Sequence, residues 1–60
     1  MDYKSKFLKI YANIPLNLRN EIVVVIDDQP LSWNVAKIEI ENDSPIAKQI
    51  LDKLVRMGIL

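Results

Sequence analysis

The sequence contains no cysteine and no histidine among its 60 residues, and glycine occurs once. Without cysteine the chain cannot form a disulfide, a thiolate metal site or a cysteine nucleophile. Without histidine it lacks the commonest general base and the commonest metal ligand. A phosphate-binding loop needs several glycines, whereas this chain has only Gly58. These absences predict a protein that is not an enzyme and binds no cofactor.

Long apolar runs are also missing. The longest run, Ile22–Ile26, has five residues, whereas a helix needs about 20 to cross a bilayer. No apolar segment of the kind found in signal peptides follows the polar residues 2–6. We therefore expect a cytoplasmic protein without a membrane-spanning segment.

Half of the residues are hydrophobic, and eight acidic residues balance eight basic ones. Such a composition indicates a folded chain, and the length indicates a single small domain over residues 1–60. A chain of this size buries only about 60% of the surface that it exposes when unfolded. Because disulfides and histidine or cysteine metal sites are excluded, close packing or association must stabilise it, and we expect a homodimer.

The charges are unevenly distributed along the chain. Residues 1–20 carry a net charge of +3, residues 21–43 carry −5 and residues 44–60 carry +2. Basic end segments that pack beside an acidic middle explain this pattern, and head-to-tail contacts between protomers are the alternative. We favour the first explanation because isolated surface ion pairs contribute little to stability.

Residues 2–14 have the pattern of an amphipathic helix. Asp2 is a favourable N-cap residue, and apolar residues recur at helical spacing behind it. Pro15 disfavours a helical conformation at the preceding residue, so the helix should end near Ala12 or Asn13. A short turn over residues 15–20 follows.

Residues 21–27 are predicted to form a strand because Ile22–Ile26 are all β-branched. The run does not alternate with polar residues, which is typical of strands covered on both faces. Two helices in one chain are too few to cover both faces of a sheet, which again favours a dimer. The segment Asp-Asp-Gln-Pro at residues 27–30 predicts a turn, so a hairpin should follow.

Residues 34–41 are ambiguous. Ala36, Ile38 and Ile40 alternate with charged residues, which favours a half-buried strand. Alternatively, Ser32 caps a short helix with Trp33, Ala36 and Ile40 on one side. We favour the strand.

The C-terminal segment predicts a second amphipathic helix. Ser44 is expected at the N-cap and Pro45 at the first helical position. Gly58 is placed to end the helix in the left-handed conformation, with Ile59 packing back on the last turn. The predicted fold class is therefore α+β: a small α-β-β-α domain in which a hairpin or small antiparallel sheet packs with two amphipathic helices.

Two sets of residues are candidates for binding. The possible protein interface consists of aromatic and strand residues: Tyr3, Phe7, Tyr11, Val23, Val25 and Trp33. For Trp33 we favour a core position over an interface anchor, because a small domain has few large side chains. The possible nucleic-acid contacts are the lysines of the first helix, Lys4, Lys6 and Lys9. A sequence pI near 6.1 argues against nucleic acid as a partner.

The acidic residues offer a third hypothesis. Asp27 and Asp28, with Glu39, Glu41 or Asp43 nearby, could supply oxygen ligands to Ca²⁺ or Mg²⁺. Their spacing does not match the calcium-binding pattern Asp-x-Asp-x-Asp-Gly, and aspartate is a common turn residue. We therefore predict no metal site.

Residues 10–19 (Ile-Tyr-Ala-Asn-Ile-Pro-Leu-Asn-Leu-Arg), 33–36 (Trp-Asn-Val-Ala) and 50–54 (Ile-Leu-Asp-Lys-Leu) resemble a group of short uncharacterised prokaryotic proteins, frequent in archaea. Some of that group are similar to the small antitoxin partners of toxin–antitoxin pairs. Residues 14–19 also resemble a stretch of swapped-hairpin antitoxins, but in those proteins a strand precedes it, whereas here the pattern is helical. The DNA binding of that family is therefore not carried over.

Together these observations predict a non-catalytic protein–protein interaction module, antitoxin-like or regulatory, that acts as a homodimer, with a second protein as a further candidate partner. The alternative is a nucleic-acid-binding regulator that uses the lysines of the first helix.

Overall fold

The computed structural model describes residues 2–60, which form three α-helices, a short 3-10 helix and a two-stranded antiparallel sheet. In chain order the elements are α1 (Tyr3–Ala12), the 3-10 helix (Leu16–Leu18), β1 (Ile22–Ile26), β2 (Gln29–Ser32), α2 (Trp33–Glu41) and α3 (Ala47–Arg56). The predicted α+β class is confirmed, with one more helix than the sequence indicated.

Helix α1 begins and ends where the sequence predicted. The Asp2 carboxylate accepts hydrogen bonds from the backbone N–H groups of Lys4 and Ser5, at 3.0 and 3.3 Å. This satisfies two of the N–H groups that have no partner at a helix N-terminus. The helix ends at Ala12, and the turn before β1 contains the 3-10 helix after Pro15.

The two strands are joined by a tighter turn than the sequence indicated. Asp27 and Asp28 are its two central residues, and both have positive φ angles, 49° and 66°. Two consecutive residues of this kind define a type I′ turn, whose twist matches that of the flanking strands. Gln29 and Pro30 therefore already belong to β2, where they lie opposite Ile26 and Val25.

Residues 33–41 form helix α2, so the prediction of a strand over residues 34–41 is wrong. The Ser32 hydroxyl accepts a hydrogen bond from the Val35 N–H at 3.2 Å and caps the helix. Ala36 and Ile40, one turn apart, are fully buried, whereas Ile38 is 54% exposed. In a helix the alternating apolar residues fall on two sides, and α2 packs the side with Ala36 and Ile40 against α1 and α3.

Helix α3 begins at Ala47, so the predicted cap at Ser44 is also wrong. Residues 42–44 instead complete the end of α2. Asp43 adopts a left-handed conformation, with φ 50°, and the Ser44 N–H donates to the Glu39 carbonyl. These are features of a Schellman motif, which satisfies the last carbonyl groups of a helix.

The end of α3 follows the prediction. Gly58 has a φ of 82°, and the Ile59 N–H donates to the Leu54 carbonyl at 3.0 Å. Ile59 packs against the core, as expected. The same Schellman arrangement therefore closes α2 with an aspartate and α3 with a glycine.

The core lies between the three helices and one face of the hairpin. Its largest fully buried side chains are Phe7, Ile40, Ile50 and Leu54. The inner face of the hairpin adds Val24, Ile26 and Leu31. Among residues 2–60 none of the helices has the length and apolar character that crossing a bilayer requires.

Candidate interaction surface

The aromatic residues predicted at an interface lie largely inside the chain. Phe7 is fully buried and Tyr11 is 9% exposed. The Trp33 ring stacks on Phe7, with 5.8 Å between ring centroids, and packs against the core. The assignment of Phe7 and Tyr11 to an interface is therefore corrected, since a partner cannot reach buried rings. Trp33 takes the core position that the sequence favoured.

The other three predicted interface residues differ in their exposure. Val23 is half-buried and packs against the core. Tyr3, on α1, and Val25, on β1, are both exposed. Of the predicted interface, these are the two residues with exposed side chains.

The hairpin has an uncovered outer face. Ile22 lies opposite Ser32 and Val24 lies opposite Leu31, so Val23 is an extra residue in β1, a β-bulge. Because Leu31 points into the core, its neighbour Ser32 and the opposing Ile22 face outward.

Val25 and the opposing Pro30 face outward in the same way. Ile22 is 55% exposed and Val25 is 44% exposed. The expectation that β1 is covered on both faces is therefore not met within a single chain.

Helix α2 follows the hairpin directly and also exposes apolar side chains. Val35 and Ile38 are exposed and lie three residues apart, on the same side of the helix. Ser32 connects them to the hairpin, because it lies opposite Ile22 and its hydroxyl accepts from the Val35 N–H. We call the set Ile22, Val25, Val35 and Ile38 the apolar strip.

Sequence reasoning found Val25 but missed the other three members of the strip. Val35 and Ile38 were missed because residues 34–41 were predicted as a strand. A helical projection from the Ser32 cap separates them from Ala36 and Ile40 and would have found them.

Both outer edges of the hairpin are blocked. The Lys53 ammonium group of α3 donates a hydrogen bond to the Val25 carbonyl at 2.7 Å, on the free edge of β1. On β2, Pro30 lies opposite Val25 and has no N–H group to donate. Lysine and proline at sheet edges hinder pairing with an additional strand. Pairing of the hairpin with an additional strand is therefore hindered at both edges.

Two of the three α1 lysines interact within the chain. Lys4 forms an ion pair with Asp43 at 3.2 Å, and the Lys6 ammonium group donates to the Leu60 carbonyl at 3.3 Å. Lys9 is exposed in the last turn of α1. Lys4 and Lys6 thus contact different parts of the chain, and Lys9 is exposed to solvent.

An open groove of about 280 Å³ lies between the hairpin tip and α3. It is lined by Ile26, Asp27, Gln49, Asp52, Lys53 and Arg56. Two carboxylates face two cations, so the groove has no dominant charge. Within residues 2–60 the acidic side chains form no cluster of three or more that could hold a metal ion.

Comparison of the chain with known proteins finds no matching family model, no matching curated protein and no matching solved structure. Function must therefore be inferred from the chemistry of the molecule's own surface.

Proposed function

We propose that this chain is a non-catalytic protein–protein interaction module, of the antitoxin-like or regulatory kind. The observation that carries the proposal is the apolar strip, four branched aliphatic side chains exposed on two adjoining elements. Exposed apolar surface is removed from water most readily by a protein partner.

The strip is suited to binding because it lies on well-packed elements. Val24 and Leu31 fix the hairpin to the core from its inner face, and Ala36 and Ile40 do the same for α2. A surface held in this way loses little conformational entropy when a partner binds, which favours affinity. The blocked strand edges direct binding to the strip itself.

Two occupants fit this proposal at the level of chemistry. A second copy of the chain would form the homodimer expected from the sequence, and a different protein would form a heteromeric complex. Either one would cover the outer face of β1.

The test is native mass spectrometry of the tagged chain isolated from its host, compared with two variants. Ile38→Asp places a charge on the strip, and Met57→Asp is the matched control because Met57 is equally exposed, at 51%, outside the strip. We expect Ile38→Asp to abolish the complex and Met57→Asp to retain it. A monomer without partner, or equal behaviour of the two variants, would contradict the proposal.

Nuclease treatment of parallel samples tests the alternative class. A nuclease-sensitive complex that is lost when Lys4, Lys6 and Lys9 are replaced by Gln would indicate a nucleic-acid-binding regulator instead.

A further inference from the structure

Acidic residues flank the members of the apolar strip along β1, in the hairpin turn and on α2. Glu21 precedes Ile22 on β1, and Asp27 and Asp28 form the exposed hairpin tip two residues beyond Val25. On α2, Glu39 follows Val35 by four residues and Glu41 follows Ile38 by three, the spacings at which helical side chains adjoin. We call Glu21, Asp27, Asp28, Glu39 and Glu41 the acidic rim.

One cation of the same region pairs with the rim, and Asp27 shares the groove beside α3 with Lys53 and Arg56. The Lys37 ammonium group pairs with Glu41 at 2.9 Å and lies 5.4 Å from the centroid of the Tyr11 ring. The Arg19 guanidinium group lies 4.4 Å from the same ring and donates to the Ile14 carbonyl. Within residues 2–60, Glu21, Asp28 and Glu39 form no ion pair, so the rim retains a negative charge.

We infer that the apolar strip binds a basic amphipathic helix of a different protein. This rests on the proposed function and specifies its partner. A twofold dimer through the strip would bring each acidic rim against its copy, and juxtaposed like charges oppose association. Lysine or arginine side chains flanking an apolar helix face would instead meet the carboxylates of the rim.

A helix fits better than an extended segment. An added strand needs a free sheet edge, but Lys53 occupies the Val25 carbonyl and Pro30 lacks an N–H. A helix needs only side-chain contacts, because its backbone hydrogen bonds are internal. Apolar side chains three and four residues apart on such a helix can contact both the hairpin and α2.

The experiment uses three synthetic peptides, each about 18 residues or five helical turns long. The first has leucines along one face and lysines on the other, the second has glutamates in place of the lysines, and the third has the first composition in scrambled order. Binding to the full chain is measured by peptide fluorescence anisotropy and by amide chemical shifts of the isotope-labelled protein.

We expect the leucine–lysine peptide to bind about tenfold or more tightly than either other peptide, because only it combines an apolar face with positive charge. Shift changes should centre on Ile22, Val25, Val35 and Ile38. Ile38→Ser should weaken binding about tenfold, whereas Met57→Ser should leave it unchanged. Glu21→Gln with Glu39→Gln should weaken binding and reduce its salt dependence.

The outcomes separate this inference from the proposed function. If the leucine–glutamate peptide binds the strip as tightly as the lysine peptide, the inference of a basic partner is wrong but the interaction module stands. If the purified chain forms a dimer that Ile38→Ser dissociates, a second copy occupies the strip. The inference of a basic partner is then also wrong, but the interaction module stands. If no peptide shifts the strip residues, the inference is wrong, and native mass spectrometry of the tagged chain from its host decides whether the interaction module stands.

Discussion

The Tyr11 hydroxyl donates a hydrogen bond to the Asn34 side-chain oxygen, with 2.5 Å between the two atoms. The Asn34 amide in turn donates to the Asn20 side-chain oxygen at 2.8 Å. These two bonds connect α1, α2 and the segment before β1. Because Tyr11 is almost fully buried, its hydroxyl has little access to water as an alternative partner.

Tyr11→Phe removes the donor of this connection. We expect it to lower the free energy of unfolding by about 1 kcal/mol, since a part-buried acceptor on Asn34 loses its partner. Urea denaturation followed by Trp33 fluorescence measures the change. Tyr3→Phe is the matched control, because Tyr3 is exposed, at 39%. Equal effects of the two substitutions would show that the hydrogen bond contributes nothing.

Two left-handed positions, Asp28 in the hairpin turn and Gly58 at the end of α3, predict substitutions of opposite sign. Asp28→Gly should raise the free energy of unfolding by about 0.5 kcal/mol, because glycine favours the second position of a type I′ turn. Gly58→Ala should lower it by about 1 kcal/mol. A Cβ at Gly58 would meet no atom within 4 Å, so this loss is backbone strain at a φ of 82°.

Thermal unfolding of both variants beside the unsubstituted chain measures these effects. A Gly58→Ala variant that melts at the original temperature would show that α3 does not depend on its left-handed end.

The cap of α1 should respond to acid. The Ser5 hydroxyl donates a hydrogen bond to the Asp2 carboxylate at 2.7 Å. This bond is the largest cause that holds the pKa of Asp2 below its ordinary value, and the Ser5 and Lys4 N–H groups and the Lys4 charge lower it further. Because the pKa is lower in the folded state, the stabilisation is complete above the unfolded-state pKa. It is lost as the pH falls through the folded-state pKa.

NMR titration of the Asp2 carboxyl carbon, with the Lys4 and Ser5 amides as reporters, should give a midpoint below the ordinary aspartate range. Asp2→Asn keeps an oxygen acceptor but cannot titrate, so these amides should lose that transition. A midpoint at or above the ordinary range would contradict the assigned cap.

Replacing Lys4, Lys6 and Lys9 together by Gln should leave the fold intact. The ion pair between Lys4 and Asp43 is exposed, so its loss should lower stability by less than about 1 kcal/mol. Circular dichroism spectra and thermal melting measure this outcome. A larger loss of stability would mean that these lysines stabilise the packing of α1 against the rest of the chain.

Local patterns in the sequence were sufficient for several elements. Asp2, Pro15 and Gly58 act on backbone groups within a few residues, so the sequence predicted both ends of α1 and the end of α3 correctly. The β-branched run likewise identified β1, because its preference for extended backbone is local. The α+β class followed from these elements.

Only tertiary packing determined α2 and the apolar strip. Ala36, Ile38 and Ile40 suit either a strand or a helix, and burial of Ala36 and Ile40 against α1 and α3 selects the helix. Periodicity shows that a face is apolar, but it cannot show whether the same chain covers that face. Phe7 was therefore assigned to an interface although it is buried, and Ile38 was assigned to a strand although its helix presents it to solvent. The Ser32 cap is a local sign of the helix, but the alternating pattern competes with it, and contacts between elements distant in sequence decide between the two.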